Sequence, residues 1–196
     1  MSVDSFPEGD PAHHAAAPVL RRIPLSLRMT VYAIAFLGVV LVLLPWVFLQ
    51  LDRLVPAIHV EIGQFWRRVG MVWAGLSFVA YGVSSVVLTT KGKGPFVDFD
   101  PPRHLVVDGP YRYVRNPIVA TLISTQFGEA LALSSPAVLL MAMLFVVVCN
   151  VQVIKFEEPI LRQRYGQAYV DYCANVPRWL PRLTPYFPPA SSNPGA

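Results

Sequence analysis

Charge is scarce in this sequence. Only 14% of its 196 residues are Asp, Glu, Lys or Arg, where a soluble chain carries about 25%. That shortfall, beside 54% hydrophobic residues, excludes an ordinary soluble domain and places the chain in the membrane class. Cysteine is nearly absent as well. Cys149 and Cys173 are the only two, so there is no disulfide framework and no CxxC or Cys/His metal spacing. The four histidines, His13, His14, His59 and His104, are not spaced as ligands, and no metal site is expected. A phosphate-cradling glycine loop is missing too. Gly92 and Gly94 form a bare GxG without a third glycine or a preceding strand, which argues against a Rossmann dinucleotide site. The net charge of +4 does not point to nucleic acid, because Lys and Arg sit at the ends of apolar runs rather than along a polar face.

What is present is a series of apolar runs. Residues 1–24 are polar, with Pro, Ala and His, and read as a disordered tail. They lack the pattern of a cleaved signal, so the run from about Met29 to Leu51 is expected to be an uncleaved first span. Roughly 20 residues at 1.5 Å each cross the ~30 Å hydrocarbon core, and lipid forces the backbone into helix. Pro45 is expected to kink the last turn. A second span covers about Val69 to Thr89. Its Gly75 and Gly82, seven apart, share a face and suggest a seam for close helix packing, within the chain or between chains. Runs at about Ile118–Leu133 and Pro136–Ile154, joined by Leu133-Ser134-Ser135-Pro136, read as a helical hairpin whose first arm is short for a span. The second arm is expected to continue as an amphipathic helix to about Asn175, followed by an extended Pro-rich tail from Val176. The expectation is an all-α, multispan membrane bundle of about four helices. The distribution of Lys and Arg places both termini and the loop of residues 91–117 in the cytoplasm.

That topology brings two polar segments to one membrane face. One is the loop KGKGPFVDFDPPRHLVVDGPYRYVRNP, Lys91 to Pro117, too long and too aromatic for a mere connection. The other surrounds Glu157 and Glu158, three residues beyond Ile154. Adjacent acids at a membrane boundary need cationic partners, and Arg103, Arg112 and Arg115 are the candidates. Pro159 disfavours helical geometry at Glu158, so a break or a new helix start is expected there. The bland alternative is a surface acidic pair capping that helix. Leu161, Tyr165, Tyr169 and Tyr172 recur every three or four residues and suggest an aromatic anchor at the membrane interface.

Two strings carry a resemblance. HLVVDGPYRYVRNP (104–117) and EEPILRQRYGQAYVDYCANVPRWLPR (157–182) resemble the C-terminal half of the isoprenylcysteine carboxyl methyltransferase family, to which the phosphatidylethanolamine N-methyltransferases are related. The match covers about residues 88–182. It implies a membrane domain over 25–182, with its catalytic half at 88–182 and a Pro-rich tail at 183–196. The implied activity is S-adenosylmethionine-dependent methyl transfer to a lipophilic or membrane-accessible acceptor: a prenylcysteine-like carboxylate, a lipid amine, an isoprenoid or a thiol. The resemblance assigns cofactor contacts to Arg103, His104, Leu105, Val106, Tyr111, Asn116, Pro117, Ile118 and Val119. It has Glu157 hold the cofactor's amino group and places Arg115, with Glu158, near the reacting centre. Such residue types suit a ligand carrying an ammonium, a carboxylate and a sulfonium. The sequence departs from the pattern at Asn116, where many members have His, at Val119, where many have Tyr, and at Thr121, where a glycine is usual. Two other readings compete: a non-catalytic membrane partner that keeps the fold, and an NADPH-dependent membrane reductase, which would need more basic residues than Lys91 and Lys93 offer.

Overall fold

A computed structural model describes residues 25–54, 60–92 and 105–188. Every regular element among them is helical. Three helical stretches are long and apolar enough to cross a membrane, Ile34–Leu54, Gln64–Gly92 and Pro136–Tyr165, and Pro117–Leu133 is a shorter apolar arm. The chain is therefore an all-α membrane protein.

The first helix comprises α1 (Leu25–Gly38), a π turn (Val39–Leu43) and α2 (Leu44–Leu54). Pro45 acts here, a full turn earlier than the kink expected at the helix end. Proline has no N–H and its ring crowds the carbonyl four residues back. The π turn absorbs both problems by lengthening the register, so that Leu44 N–H bonds to Val39 O. In this register the Val40 carbonyl loses its donor: Leu44 is spent on Val39, and residue 45 has no N–H. The fully buried Gln126 answers it, its Nε2 donating to Val40 O at 3.3 Å.

The second helix, α3 (Gln64–Gly92), packs along α4 (Pro117–Leu133). Within the chain, the seam is not the one expected at Gly75 and Gly82. A Cβ at Gly75 or Gly82 would meet nothing within 4 Å, whereas one at Gly70 would strike Ala132 N and lie 2.8 Å from Gly128 O. One at Gly128 would lie 2.5 Å from Ala74 N. Gly70 and Ala74 meet Gly128 and Ala132, and the absent side chains let two backbones touch. Ser77 and Ser124 hydroxyls pair at 2.8 Å along the same face, and Trp73 Nε1 donates to Ser124 Oγ at 2.9 Å.

The hairpin turn is clamped from both flanking helices. Ser134 takes a left-handed conformation (φ 54°) to end α4. Ser135 caps α5 (Pro136–Gln152), accepting from Val138 N–H at 3.0 Å. Buried Asp52, at the end of α2, accepts from Ser135 Oγ and, at 3.1 Å, from Ala137 N–H. Arg67 at the start of α3 donates to Ala132 O, a terminal carbonyl of α4, at 3.1 Å. These contacts satisfy helix-end groups that would otherwise be costly in lipid. Halfway along the bundle, Val40, Tyr81 and Leu122 form a core with Leu37, Leu41, Ile118 and Phe145. This core is the floor under the polar end.

Beyond α5 a second π turn (Val153–Glu157) leads into α6 (Glu158–Tyr165). Gly166, at φ 55° and ψ −133°, then breaks the helix before α7 (Gln167–Asn175). Only glycine adopts that geometry readily, so the single amphipathic helix expected to Asn175 is two helices.

Candidate functional site

Two segments of low hydrophobicity meet at the end of the bundle where α3 finishes and α4 begins. The loop enters as Leu105–Asp108, makes a short 3-10 turn at Gly109–Arg112 and delivers Asn116 to the start of α4. Gly109, at φ 53°, turns the chain directly over Val87 of α3, whose side chain would lie 3.5 Å from a Cβ there. Pro117 occupies the first turn of α4, where its missing N–H costs nothing.

The C-terminal segment runs antiparallel to this loop. Arg115 N–H donates to Pro177 O at 2.9 Å, Arg182 N–H to Tyr113 O at 3.0 Å, and Tyr186 N–H to Arg112 O at 3.0 Å. The tail is extended, as its proline content suggested, but it is docked. Trp179 Nε1 adds a bond to Asn150 Oδ1 at 3.0 Å, tying the tail back to α5.

The adjacent glutamates have different fates. Glu158 is buried and takes most of the cationic charge nearby. Arg115 Nη1 donates to its Oε1 at 3.1 Å, and Arg178 bonds both oxygens, Nε to Oε1 at 2.6 Å and Nη2 to Oε2 at 3.1 Å. Arg162 stands 3.7 Å away with its side chain mostly exposed. The surface capping pair is thus excluded for Glu158. Of the expected cationic partners, Arg115 is one. Arg112 instead bonds Asp108 at 2.9 Å and lies 4.5 Å over the Phe187 ring. Arg103 and His104 lie outside the described residues. Arg162 is a helical (i, i+4) neighbour of Glu158, whereas local pattern could not identify Arg178, which is 20 residues from Glu158 and reaches it only because the tail folds back. Hydrogen bonding to Glu158 raises the pKa of Arg178 above its usual value.

Glu157 is half-buried, and its charge is felt at Tyr111 and Cys149. At Pro159, where a break or a new helix start was expected, α6 starts at Glu158 without the chain leaving helical geometry. Glu158 stays helical (φ −60°, ψ −39°), with its N–H bonded to Val153 O across the π turn.

Tyr111 is the pivot. Its ring is buried, its hydroxyl donates to Ser84 O at 3.4 Å, and its own carbonyl accepts from Tyr172 Oη at 2.6 Å. Burial first, then Tyr172, Glu157 and Tyr81, push the Tyr111 phenol far above its ordinary pKa. Burial does the same to Tyr172 and Tyr169. The tyrosine face of α7 is not an interface anchor. Tyr169, Tyr172 and Val176 form a small core that takes in Leu105, Val107, Leu161 and Tyr165.

The remaining expected contacts divide by environment. Val106 and Pro117 are buried, and Leu105, Asn116, Ile118 and Val119 are half-buried. Leu105 packs into the tyrosine core and Ile118 into the apolar floor. One buried polar atom at this end, Arg115 Nε, has no hydrogen-bond partner. Among the described residues no group of His, Cys, Asp and Glu could hold a metal.

The family model described as "Phospholipid methyltransferase" matches residues 67–168, just over half of the chain. No curated protein and no solved structure matches it.

Proposed function

Since the chain belongs to the phospholipid methyltransferase family and is a membrane methyltransferase, we propose that it transfers a methyl group from S-adenosylmethionine to a lipophilic acceptor at the polar end of its bundle. The acceptor classes that fit are a prenylcysteine-like carboxylate, a lipid amine, an isoprenoid or a thiol. Both termini and the loop of 91–117 face the cytoplasm in this reading, and the unit responsible is residues 25–182.

The observation that carries the reading is the meeting of the Tyr111 loop with the Glu157–Glu158 segment, joined by the Arg115–Glu158 ion pair. The chemistry of these groups fits the cofactor. Glu157 offers a carboxylate to the ammonium, and Arg115 Nε has unused hydrogen-bonding capacity for polar parts of a ligand. S-adenosylmethionine supplies the electrophilic methyl on its sulfonium. Methyl transfer by in-line displacement demands alignment above all, and the chain's own residues provide it. Leu105, Val106, Tyr111 and residues 116–119 form the wall on the loop side; Arg103 and His104 enter the site only through the resemblance. Tyr111, kept neutral by burial, adds a ring rather than a charge. Arg115 and Glu158 act by position: their ion pair holds the loop against α6 and the tail. The packed floor of Val40, Tyr81 and Leu122 closes the polar end from below with apolar side chains.

The test is methyl transfer itself. Purified protein in detergent, given methyl-tritiated S-adenosylmethionine and a total bacterial lipid extract, should move label into the organic phase. A Glu157→Ala protein should not. Equal labelling by both proteins would remove Glu157 from the site.

A further inference from the structure

The tail of residues 177–188 is built inside out for a segment in water. Its cations turn inward. Arg178 bonds Glu158, and the half-buried Arg182 donates to the Asn175 carbonyl at 2.8 Å. Its leucines turn outward instead, Leu180 being 79% exposed and Leu183 99% exposed. Water favours the reverse, with guanidinium groups outside and large apolar side chains covered. Nor is this stretch loose chain, because the N–H groups of Arg182 and Tyr186 are bonded to the loop carbonyls of Tyr113 and Arg112.

The tail is also fixed at a depth. Trp179 Nε1 donates to Asn150 Oδ1 at 3.0 Å, and Asn150 lies in α5, within the span Pro136–Tyr165. At 1.5 Å per residue it stands roughly 12 Å further into that span than Glu158. Val147, one turn before Asn150 on the same side of α5, is exposed, as is Val151 beside it. In a helix that crosses a membrane those valines face lipid. Consecutive tail residues therefore reach opposite ways, Arg178 to the polar cluster and Trp179 to the lipid-facing side of α5. A cation directed to the polar side and a tryptophan directed to the apolar side is the arrangement of a membrane interface. Leu180 follows Trp179 directly. Tyr113, whose carbonyl holds Arg182, is an exposed aromatic of the kind that interface collects.

We propose that Trp179–Leu183 is a membrane-interface anchor, in which Leu180 and Leu183 enter the boundary between lipid headgroups and acyl chains beside α5. The strap across the 105–115 loop is fastened twice, by the Glu158 cluster within the protein and by the bilayer outside it. The proposal does not depend on methyl transfer.

The experiment uses the full chain in phosphatidylcholine nanodiscs. Hydrogen exchange of residues 182–186, read by mass spectrometry, reports how often the tail lifts off the loop. Leu180→Gln/Leu183→Gln changes side chains that little protein covers. Loss of two leucines from the lipid boundary should speed this exchange roughly tenfold or more. Exchange equal to wild type overturns the proposal, since leucines standing in water hold nothing. A second measurement identifies what covers the tail. With Trp46, Trp66 and Trp73 replaced by Phe, Trp179 is the sole tryptophan. Phosphatidylcholine brominated close to the headgroup should quench it more strongly than lipid brominated near the chain ends. Absence of quenching by either lipid overturns the proposal even if exchange rises, because the leucines are then covered by protein, such as a second copy of the chain. Should the triple variant not fold, the exchange comparison decides alone.

Discussion

Glu158 provides the sharpest test of how the polar end is held together. Its carboxylate is 5% exposed and bonds Arg115, itself 10% exposed, and Arg178, 28% exposed. Glu158→Gln keeps the shape and removes the charge. Two guanidinium groups then lose their counter-ion, one of them deeply buried. Breaking a buried pair by removing one partner costs about 3–5 kcal/mol, which for a chain of this length lowers the melting temperature by roughly 6–20 °C. Arg178→Met removes the bidentate contact from the more exposed side, at about 1.5–3 kcal/mol. Arg162→Met, at 3.7 Å and with a 58% exposed side chain, should cost about 0–1 kcal/mol. Intrinsic tryptophan fluorescence during heating gives the order, and limited proteolysis shows whether residues 177–186 come loose first. A Glu158→Gln protein that melts with wild type, or no more than Arg162→Met does, would refute the idea that this ion cluster fastens loop and tail.

Other consequences are equally specific. Gly70→Ala and Gly128→Ala should each destabilise the bundle by about 1–3 kcal/mol, because the added Cβ meets backbone. Gly75→Ala, facing open space, should be neutral or stabilising in the same thermal assay. Asp52→Ala frees the start of α5 and should cost about 1–2 kcal/mol, read as earlier melting with cofactor affinity unchanged. The phenols of Tyr111 and Tyr172 have folded pKa values raised above their ordinary 10.0. Their contribution is therefore complete below about pH 10 and lost as pH rises further. Stability should stay level through neutrality on their account and fall in alkali, a fall that Tyr172→Phe should reduce.

The fold class was legible because lipid leaves few alternatives. Long uncharged runs must be helices, and the Ser-Ser-Pro at 134–136 had to turn. The packing seam was less legible. Gly75 and Gly82 have helical spacing, but spacing does not say which side faces a neighbour, and Gly70 with Gly128 only becomes a pair once α3 and α4 are side by side. Local rules also mislead at Pro159. The residue before proline usually leaves the helix, yet a π turn lets the helix continue, and no pattern in VIKFEEP announces that. At the site, the convergence of the loop with the Glu pair followed from topology, as did the Arg115–Glu158 contact. The burial of Glu158 between two guanidinium groups did not, because it depends on Arg178 returning from the tail. The tyrosines of α7 looked like interface residues by composition, and their burial comes from the same tail closing over them.

The most direct test of the account is titration calorimetry of the purified protein with S-adenosylmethionine, with NADPH as the control ligand and Glu157→Ala as the control protein. The account predicts micromolar binding of S-adenosylmethionine to the wild-type chain, no binding of NADPH, and loss of S-adenosylmethionine binding in a Glu157→Ala protein that melts like wild type. Binding of NADPH alone, or S-adenosylmethionine affinity that survives Glu157→Ala, would contradict it.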